Sequence, residues 1–381
     1  MSDNYIVYSS SCGEYKYDKI KEIIYSHFDQ IISAEYSEFD FKGKNVALKP
    51  NLLAKRTPEA GITTNPLFVK AAGEYFISKG AKVIVCDSPG GIYNNMIMNS
   101  VYNVCGMKKA AEESGIELNY DMGSAEKFLK DGVVSKAFNI INPLTKADFI
   151  VNLCRLKTHS LCGMSAAVKN MYGSIPGLQK AEQHARFPHQ KDFSRYLIDL
   201  CRVVSPSISV VDSVIAMEGN GPAGGTLKRV GVVISSANPY ALDYIASHIM
   251  GFSVNEVLTV KNSIEQGLCP KNIDEIAVVG DDIEAYVSDF KKPDSSAGGL
   301  IKQLPNFLGG RLKKWLEPRP YIVVSKCVGC GECANCCPQA TIKIENKKAH
   351  IDYDNCIRCY CCQELCPMKA VSIKRNPFMK L

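Results

Sequence analysis

The chain has 381 residues and a mass of 41.9 kDa, which suits two domains of unequal size and excludes a single small module. Lys and Arg, 45 together, exceed Asp and Glu, 39 together, and the excess is spread along the chain, so we expect no nucleic-acid partner. No apolar run approaches the roughly 20 residues of a membrane span. Residues 1–5 do not begin a signal peptide, so we expect a cytoplasmic protein without a membrane span.

Short apolar strands alternate with amphipathic helices through the first 290 residues. Runs of β-branched residues predict strands at 45–49, 82–86, 149–153, 208–211, 230–234 and 276–279. Helices are predicted to begin at Asn65-Pro66 and Asn238-Pro239, and a third covers 193–204. Near-continuous apolar strands separated by such helices predict an α/β fold, in which a mostly parallel sheet carries helices on both faces.

Polar side chains and Gly or Pro turns follow the ends of five predicted strands. These positions are Lys49 and Asn51; Asp87; Lys157 and His159, followed by Lys169, Asn170 and His184; Asp212, Glu218 and Asn220; and Ser235 to Asn238. The C-terminal ends of parallel strands meet at one edge of a sheet, where ligands bind in open α/β proteins. We therefore expect these side chains to share one ligand-binding crevice.

The chemistry of these side chains predicts their roles. Catalytic roles are predicted for Lys49, Lys157, His159 and Asp212, and binding roles for Asn51, Asp87, Lys169, Asn170, Glu218 and Asn220. The lysines favour a small anionic substrate, and His159 is the expected proton donor because histidine titrates near neutrality. The carboxylates either pair with the lysines or hold a divalent cation such as Mg²⁺. Alternatively, His159 and His184 only satisfy backbone groups of their loops.

Residues 291–320 have the composition of a connector. Basic residues outnumber acidic ones there by seven to two, and Pro and Gly residues interrupt a repeat of leucines between Leu300 and Leu316. A basic amphipathic segment of this kind could lie on a membrane or dock a partner helix. We favour a broken helical strap that packs a C-terminal module onto the main domain.

Ten of the 17 cysteines lie between Cys327 and Cys366. They form two runs of the pattern C-x2-C-x2-C-x3-C-P, at 327–338 and 356–367, with corresponding positions 29 residues apart. In this pattern, three cysteines of each run bind one cubane-type iron–sulfur cluster, and the fourth cysteine binds the cluster of the other run. The predicted ligands are Cys327, Cys330, Cys333 and Cys366 for one 4Fe-4S cluster, and Cys356, Cys359, Cys362 and Cys337 for the other. A zinc ribbon would need neither the third cysteine nor the Cys-Pro pair, and Cys336 and Cys361 lie outside the pattern.

These motifs resemble two known kinds of protein. Residues 321–381 resemble a bacterial-type ferredoxin, a small α+β domain that binds two 4Fe-4S clusters. Short motifs upstream resemble, in the same order, the family called domain of unknown function 362, several members of which also carry a C-terminal ferredoxin module. These motifs are Leu48–Asn51, Cys86–Gly90, Leu156–His159, Val168–Asn170, Val211–Asp212 and Met217–Pro222. The resemblance supports an α/β domain at 1–290, a connector at 291–320 and a ferredoxin module at 321–381, and it implies no particular reaction.

Two functions from different classes fit these features. In the first, an oxidoreductase passes electrons from two 4Fe-4S clusters to a small anionic substrate held by the α/β domain. In the second, the chain is a ferredoxin-like electron carrier whose α/β domain docks a partner or senses a ligand. The ferredoxin module is basic, unlike the acidic surface expected of a soluble shuttle, which favours the enzyme. Both functions require an electron donor or acceptor protein, and oxygen-sensitive clusters suit an anaerobic cytoplasm.

Overall fold

A nine-stranded sheet organises the α/β domain in the computed structural model, which describes residues 5–296 and 317–374. The strands up to residue 296 are β1 (Ile6–Ser11), β2 (Asn45–Pro50), β3 (Lys82–Val85), β4 (Glu117–Leu118), β5 (Ser124–Phe128), β6 (Ala137–Ile141), β7 (Phe149–His159), β8 (Gly163–Ser165), β9 (Ile208–Glu218), β10 (Thr226–Ser236) and β11 (Ala277–Gly280). The strand order across the sheet is β11-β1-β10-β9-β7-β2-β3-β4, with β8 beside β7. β5 and β6 form a separate hairpin.

Most neighbouring strands of the large sheet are parallel, as predicted. β7 lies between β2 and β9 and is parallel to both, and β3 and β4 continue the parallel part beyond β2. β10 differs, because it runs antiparallel to both β1 and β9. In β10, Ser235 pairs with Val210, which lies near the start of β9. The C-terminal end of β10 therefore lies at the edge of the sheet opposite to the C-terminal ends of the parallel strands. The prediction that Ser235 to Asn238 join the shared crevice is therefore wrong.

Helices cover both faces of this sheet, which confirms the predicted architecture. They are α1 (Tyr17–Glu35), α2 (Pro66–Ser78), α3 (Asn95–Val104), α4 (Met107–Ser114), α5 (Asn142–Thr145), α6 (Ala167–Asn170), α7 (Gln179–Arg186), α8 (Gln190–Val204), α9 (Pro239–Ile249) and α10 (Leu258–Glu265). Along β7, Val151 and Leu153 pack into one core with α1 to α4, whereas Ile150 and Cys154 pack into a second core with α5, α6 and α8 to α10. Alternate side chains of a strand point to opposite faces, so the two cores lie on opposite sides of the sheet.

The predicted helix ends are set by side-chain caps and turns. Asn65 accepts a hydrogen bond from the Leu67 N–H at 3.0 Å, which caps the start of α2. Asn238 caps α9 in the same way, through the N–H groups of Tyr240 and Ala241. These caps satisfy backbone donors that the first helical turn leaves unpaired.

Two strands continue well beyond their predicted ends. The apolar runs stop at Leu153 and Val211, but β7 continues to His159 and β9 to Glu218. The extensions are buried although they carry charged side chains, because Arg155 on β7 pairs with Asp212 on β9 at 3.2 Å. Asp212 therefore lies within a strand, and its predicted position at a strand end is wrong.

The C-terminal module is a small α+β unit, as predicted. Its elements are β12 (Arg319–Ile322), α11 (Glu332–Asn335), β13 (Ile342–Glu345), β14 (Lys348–Ile351), α12 (Cys361–Leu365) and β15 (Val371–Lys374). β12 pairs with β15, and β13 pairs with β14, both antiparallel. The leucine repeat of the predicted connector falls at 297–316, outside the described residues. Within the described part of the chain, none of the helices has the length and apolar character of a membrane span.

Candidate functional site

A cavity of about 70 Å³ lies between the α/β domain and the ferredoxin module. The α/β domain contributes residues from the C-terminal ends of β2, β3 and β7, which the parallel pairing brings to one edge of the sheet. The predicted site residues that line the cavity are Asn51, Asp87, Lys157, His159, Lys169 and Asn170. The ferredoxin module closes the cavity with Cys336, Cys361, Glu364 and Leu365. The site is therefore built by both domains.

His159, the last residue of β7, faces Glu364 across the domain boundary. Its Nδ1 accepts hydrogen bonds from the N–H groups of Leu161 and Cys162, at 3.1 and 3.3 Å, so the Nε2 atom carries the proton. Nε2 lies 3.1 Å from Oε1 of Glu364. Among the described residues, neither of these two buried atoms has a hydrogen-bond partner. Two unsatisfied polar atoms beside a cavity indicate a place for a polar ligand.

Burial and the neighbouring charge act in opposite directions on this pair. Burial lowers the pKa of His159, and the carboxylate of Glu364 raises it less, so the imidazole is neutral at pH 7. At Glu364 burial alone would raise the pKa, but His159 and Lys169 together lower it below the usual range of a glutamate. The carboxylate is thus the charged member of the pair.

Three lysines line the cavity without a carboxylate partner among the described residues: Lys157, Lys169 and Lys180. The Lys157 Nζ donates to Oδ1 of Asn51 at 2.5 Å and to the Ile62 carbonyl at 2.7 Å. The Lys180 Nζ donates to the Ile175 carbonyl at 2.6 Å and to the Ser88 hydroxyl at 3.1 Å. These oxygens are uncharged, and burial lowers the pKa of Lys157 and of Lys180 to about 7.

Lys169 is held differently from the other two lysines. Its Nζ lies 4.4 Å from the centroid of the Tyr172 ring, a cation–π contact that leaves its hydrogen-bond donors available. His184, on α7, also lines the cavity and stacks on Phe193 with ring centroids 4.3 Å apart. Its buried Nδ1 has no hydrogen-bond partner in the described part of the chain. Cationic and donor groups therefore dominate the α/β side of the cavity.

Lys49 forms a buried ion pair with Asp87, and of the two residues only Asp87 lines the cavity. The Lys49 Nζ lies 2.8 Å from Oδ1 of Asp87, and Oδ2 of the same carboxylate accepts the Leu52 N–H at 2.8 Å. Lys49 does not line the cavity, and its charge cancels that of Asp87. The ion pair leaves Asp87 unsuited to hold a divalent cation, and no group of three His, Cys, Asp or Glu residues in the described chain is placed to bind one.

Asp212 also lies outside the cavity. Besides the ion pair with Arg155, its carboxylate accepts hydrogen bonds from the Tyr15 hydroxyl at 2.9 Å and from the Asn65 N–H at 3.3 Å. Burial raises the pKa of Asp212, and Arg155 opposes this rise. These contacts connect β7, β9 and the start of α2, so the position of Asp212 is that of a structural residue.

Glu218 and Asn220 lie beyond the end of the cavity. Glu218 pairs with Lys228 at 3.5 Å, across the β9–β10 turn. The Asn220 side chain donates to Asp294 at 2.7 Å, and the backbone carbonyl of Asn220 accepts from Nε2 of Gln363 at 2.7 Å. Because Gln363 belongs to α12 of the ferredoxin module, Asn220 contributes to holding the two domains together.

Sequence reasoning missed Glu364, Gln363 and Lys180. Glu364 and Gln363 stand between the last two cysteines of the second run, where the pattern allows any residue. Lys180 lies on α7, which is short and largely polar and follows no apolar strand. Only the packing of the module on the sheet edge brings these residues together, as the contact of Leu365 with Gly90 illustrates.

The predicted cluster ligands are gathered around two further cavities of about 20 Å³ each. One is lined by Cys327, Cys330, Cys333 and Cys366, and the other by Cys337, Cys356, Cys359 and Cys362. Backbone N–H groups point at three of the sulfurs: Ala349 at Cys327, Thr341 at Cys337 and Ala370 at Cys366, at 3.2 to 3.4 Å. Four thiol sulfurs with N–H donors nearby fit a 4Fe-4S cluster in each cavity.

The two cysteines outside the pattern lie where the domains meet. Cys336 and Cys361 are buried and line the interdomain cavity, and Cys361 also lines the cluster cavity of Cys359 and Cys362. We call this cluster cavity the inner cluster site and the other one the outer cluster site. The inner site thus adjoins the interdomain cavity through the side chain of Cys361.

The chain is similar to known families and proteins. A family model described as a domain of unknown function, DUF362, matches residues 46–248, and a model of a 4Fe-4S dicluster domain matches residues 319–367. A thylakoid-associated protein of Synechocystis sp. is 27% identical over 254 residues, which cover 66% of this chain and 77% of that protein. The lactate racemase apoprotein of Thermoanaerobacterium thermosaccharolyticum aligns with a TM-score of 0.40 and 11% identity, over 65% of this chain. The chain spans 57% of the length of that racemase. The C-terminal region is an iron–sulfur domain of ferredoxin type, which supports a role in electron transfer.

Proposed function

The chain belongs to the family of the domain of unknown function 362, and from this starting point we propose that it is an iron–sulfur oxidoreductase acting on a small anionic substrate in the interdomain cavity. When bound, the two clusters supply single electrons. The observation that carries the proposal is the position of the cavity, between cationic residues of the α/β domain and the inner cluster site. An anaerobic, cytoplasmic setting belongs to the proposal, because exposed low-potential clusters react with oxygen.

Lys157, Lys169 and Lys180 bind the anion in this proposal. Within the described residues their ammonium groups contact only uncharged oxygens or a ring, so a carboxylate or phosphate would replace weak contacts with charge-assisted hydrogen bonds. Glu364 is the one carboxylate on the cavity wall that lacks a lysine partner among the described residues, and it leaves a net positive charge there. This charge selects an anion over a neutral or cationic molecule.

His159 donates a hydrogen bond to the reduced substrate in this proposal. The backbone N–H groups on Nδ1 hold the ring so that Nε2 faces the cavity. A second proton on Nδ1 would face these two N–H donors, so the imidazole stays neutral and stabilises negative charge on the substrate through its Nε2–H. Lys157 supplies the proton, since its pKa of about 7 is matched to neutral pH and its ammonium becomes a neutral amine when the proton leaves.

Lys49 and Asp212 have supporting roles in this proposal. Lys49 holds Asp87 in its position on the cavity wall, and Asp212 fixes Arg155 next to Lys157 on β7. Neither side chain lines the cavity, so neither is expected to touch the substrate. The proposed catalytic set is therefore His159 with Lys157, and Lys169 and Lys180 bind the anion.

The test uses the anaerobically reconstituted full chain with reduced clusters. Small carboxylates and phosphate esters are added one at a time, and reoxidation of the clusters is followed by the return of their visible absorbance. With an active compound, His159→Ala should retain the cluster absorbance and slow reoxidation by about 10²-fold or more. His189→Ala changes an exposed histidine outside the cavity and serves as the matched control.

Two outcomes would contradict the proposal. Equal reoxidation rates in His159→Ala and His189→Ala would remove His159 from the reaction. If no anion binds to the cavity or reoxidises the clusters, the chain is better explained as an electron carrier whose α/β domain docks a partner or senses a ligand.

A further inference from the structure

The outer cluster site reaches the protein surface. Of the eight predicted cluster ligands, all within the described residues, Cys330 alone is exposed; the others are buried or partly buried. The inner cluster site instead adjoins the interdomain cavity through Cys361. Because electron transfer between proteins requires close approach of the redox groups, the surface around the exposed Cys330 is a place where an external donor can approach a cluster.

Apolar side chains surround this point of access. Val328 and Met368 line the outer cluster site and are 57% and 48% exposed, and Val324 in the same loop is 56% exposed. Lys348 holds the loop in place, since its Nζ donates to the carbonyls of Val324 and Cys327 at 3.0 and 2.6 Å. An ordered apolar patch of this kind is typical of the centre of a protein interface.

Lysines form the rim of this patch. Lys326, Lys347 and Lys369 are exposed, and none of them forms an ion pair within 5–296 and 317–374. Lys347 lies directly over the cluster loop, where a side chain on Gly329 would meet the Lys347 carbonyl at 2.5 Å. Gly329 has a φ of +70°, so the close approach and the backbone conformation both require glycine there.

We infer that this surface, which we call the outer face and define by Val324, Lys326, Val328, Cys330, Lys347, Met368 and Lys369, docks an acidic one-electron carrier protein. The carboxylates of the carrier would meet the lysine rim and its apolar surface would cover the valines and Met368. The carrier loses one electron and this chain gains it, and no bond forms or breaks. The inference depends on the proposed function only in that the bound clusters accept electrons.

The positive charge of the rim is the reason for choosing an acidic partner. Electrostatic steering raises association rates by about 10- to 1,000-fold and weakens as ionic strength rises. A carrier that docks on the outer face leaves the interdomain cavity free for substrate, since the two sites share no lining residues. Electron entry and substrate binding would thus use different surfaces.

The experiment measures how fast a reduced acidic flavodoxin reduces the reconstituted full chain, by anaerobic stopped-flow absorbance at low ionic strength. The variant Lys326→Glu/Lys347→Glu/Lys369→Glu should react at least about tenfold more slowly than the unmodified chain. The matched control Lys127→Glu/Lys130→Glu/Lys136→Glu makes the same charge change at exposed positions of the β5–β6 hairpin and should react at close to the normal rate. High salt should reduce the difference between the two variants.

A small uncharged electron donor shows whether the substitutions weaken docking or damage the cluster site. Photoreduced deazariboflavin needs no docking surface, so both triple variants should accept its electrons at the rate of the unmodified chain. An equal loss of flavodoxin rate in the two triple variants would overturn the inference, as would full activity of the outer-face variant. Because the readout is cluster reduction, it does not depend on whether the α/β domain has a substrate.

Discussion

Anion binding in the interdomain cavity should be coupled to proton uptake and should weaken above neutral pH. Burial lowers the pKa of Lys157 and Lys180 to about 7, so each of these lysines carries about half a proton at pH 7 in the free protein. An anion in contact with both ammonium groups restores their ordinary basicity. Binding at pH 7 should therefore take up about one proton from the buffer, and each lysine should gain about half of it.

The sign and size of the pH effect follow from these pKa values. Below pH 7 both lysines are charged in the free protein, and affinity is at its maximum. As the pH rises from 7 to 9, the charged fraction of each lysine falls about 50-fold, which costs about 2 kcal/mol of binding free energy per lysine contacted. If an anion contacts both lysines and its own charge is constant, its affinity should fall by the square of the roughly 50-fold change in the charged fraction of each lysine.

Calorimetric titration of the full chain with sulfate and with fumarate measures both quantities, because the charge of these anions is constant between pH 6 and 9. Titrations in two buffers of different ionisation enthalpy give the number of protons taken up. Lys180→Met should halve the uptake at pH 7, whereas Lys146→Met, which changes an exposed lysine, should leave it unchanged. Binding without proton uptake, or with equal affinity at pH 7 and pH 9, would refute the reasoning, and failure of both anions to bind at pH 6 would contradict the anion site itself.

Three further predictions concern single residues. Cys362→Ala should lose the iron and sulfide of one cluster, while Cys361→Ala should retain both clusters, and iron and sulfide counts on reconstituted protein distinguish the two cases. Lys49→Met leaves the buried charge of Asp87 unpaired and should lower the free energy of unfolding by about 3–5 kcal/mol in urea denaturation; Lys49→Arg, which keeps the charge, should lose less. Gly173→Ala places a methyl group 1.9 Å from Oδ1 of Asp87 and should lower thermal stability, and an unchanged melting temperature would contradict this packing.

The part of the site that lies on the sheet was predictable from the sequence. Asn51, Asp87 and His159 follow apolar runs closely, and the parallel pairing of β2, β3 and β7 brings their ends together. The periodic pattern predicts which runs are strands, but it carries no information on strand order or direction. For that reason the antiparallel β10 was missed, and Ser235 was placed at the wrong edge.

The roles of individual charges were harder to predict, because a charged residue type does not reveal its partner. Lys49 and Lys157 both follow apolar runs, yet Lys49 is neutralised by Asp87 whereas Lys157 contacts only uncharged oxygens. Similarly, Asp212 was placed at a strand end because β9 was predicted to stop at its last apolar residue. Its pairing with Arg155 is a contact between strands, which a local pattern does not contain.

The ferredoxin module shows the opposite case, in which spacing alone determines the grouping. Each cluster site combines three cysteines of one run with the fourth cysteine of the other run. This grouping follows from the spacing, because the fourth cysteine of a run lies beyond the loop that holds the first three and points toward the other cluster. The position of the module on the α/β domain is different, because it depends on contacts such as those of Gln363 and Glu364 with residues far away in the sequence. A pattern of cysteines cannot predict which of its intervening residues face another domain.

The unpaired lysines of the cavity are the strongest structural reason to expect a ligand. A lysine whose pKa is lowered from 10.5 to about 7 destabilises the folded chain as the pH falls below 10.5, because the unfolded state binds its proton more tightly, and the full cost is present below about pH 7. Lys157 and Lys180 both bear this cost, although methionine would fill the same space without it. Such a loss of stability is expected where binding of an anion offsets it. The Nε2 atom of His159 and the Oε1 atom of Glu364, which have no hydrogen-bond partner among the described residues, lie on the wall of the same cavity. Stability alone would favour apolar side chains at all four positions, so their presence is better explained by binding than by folding.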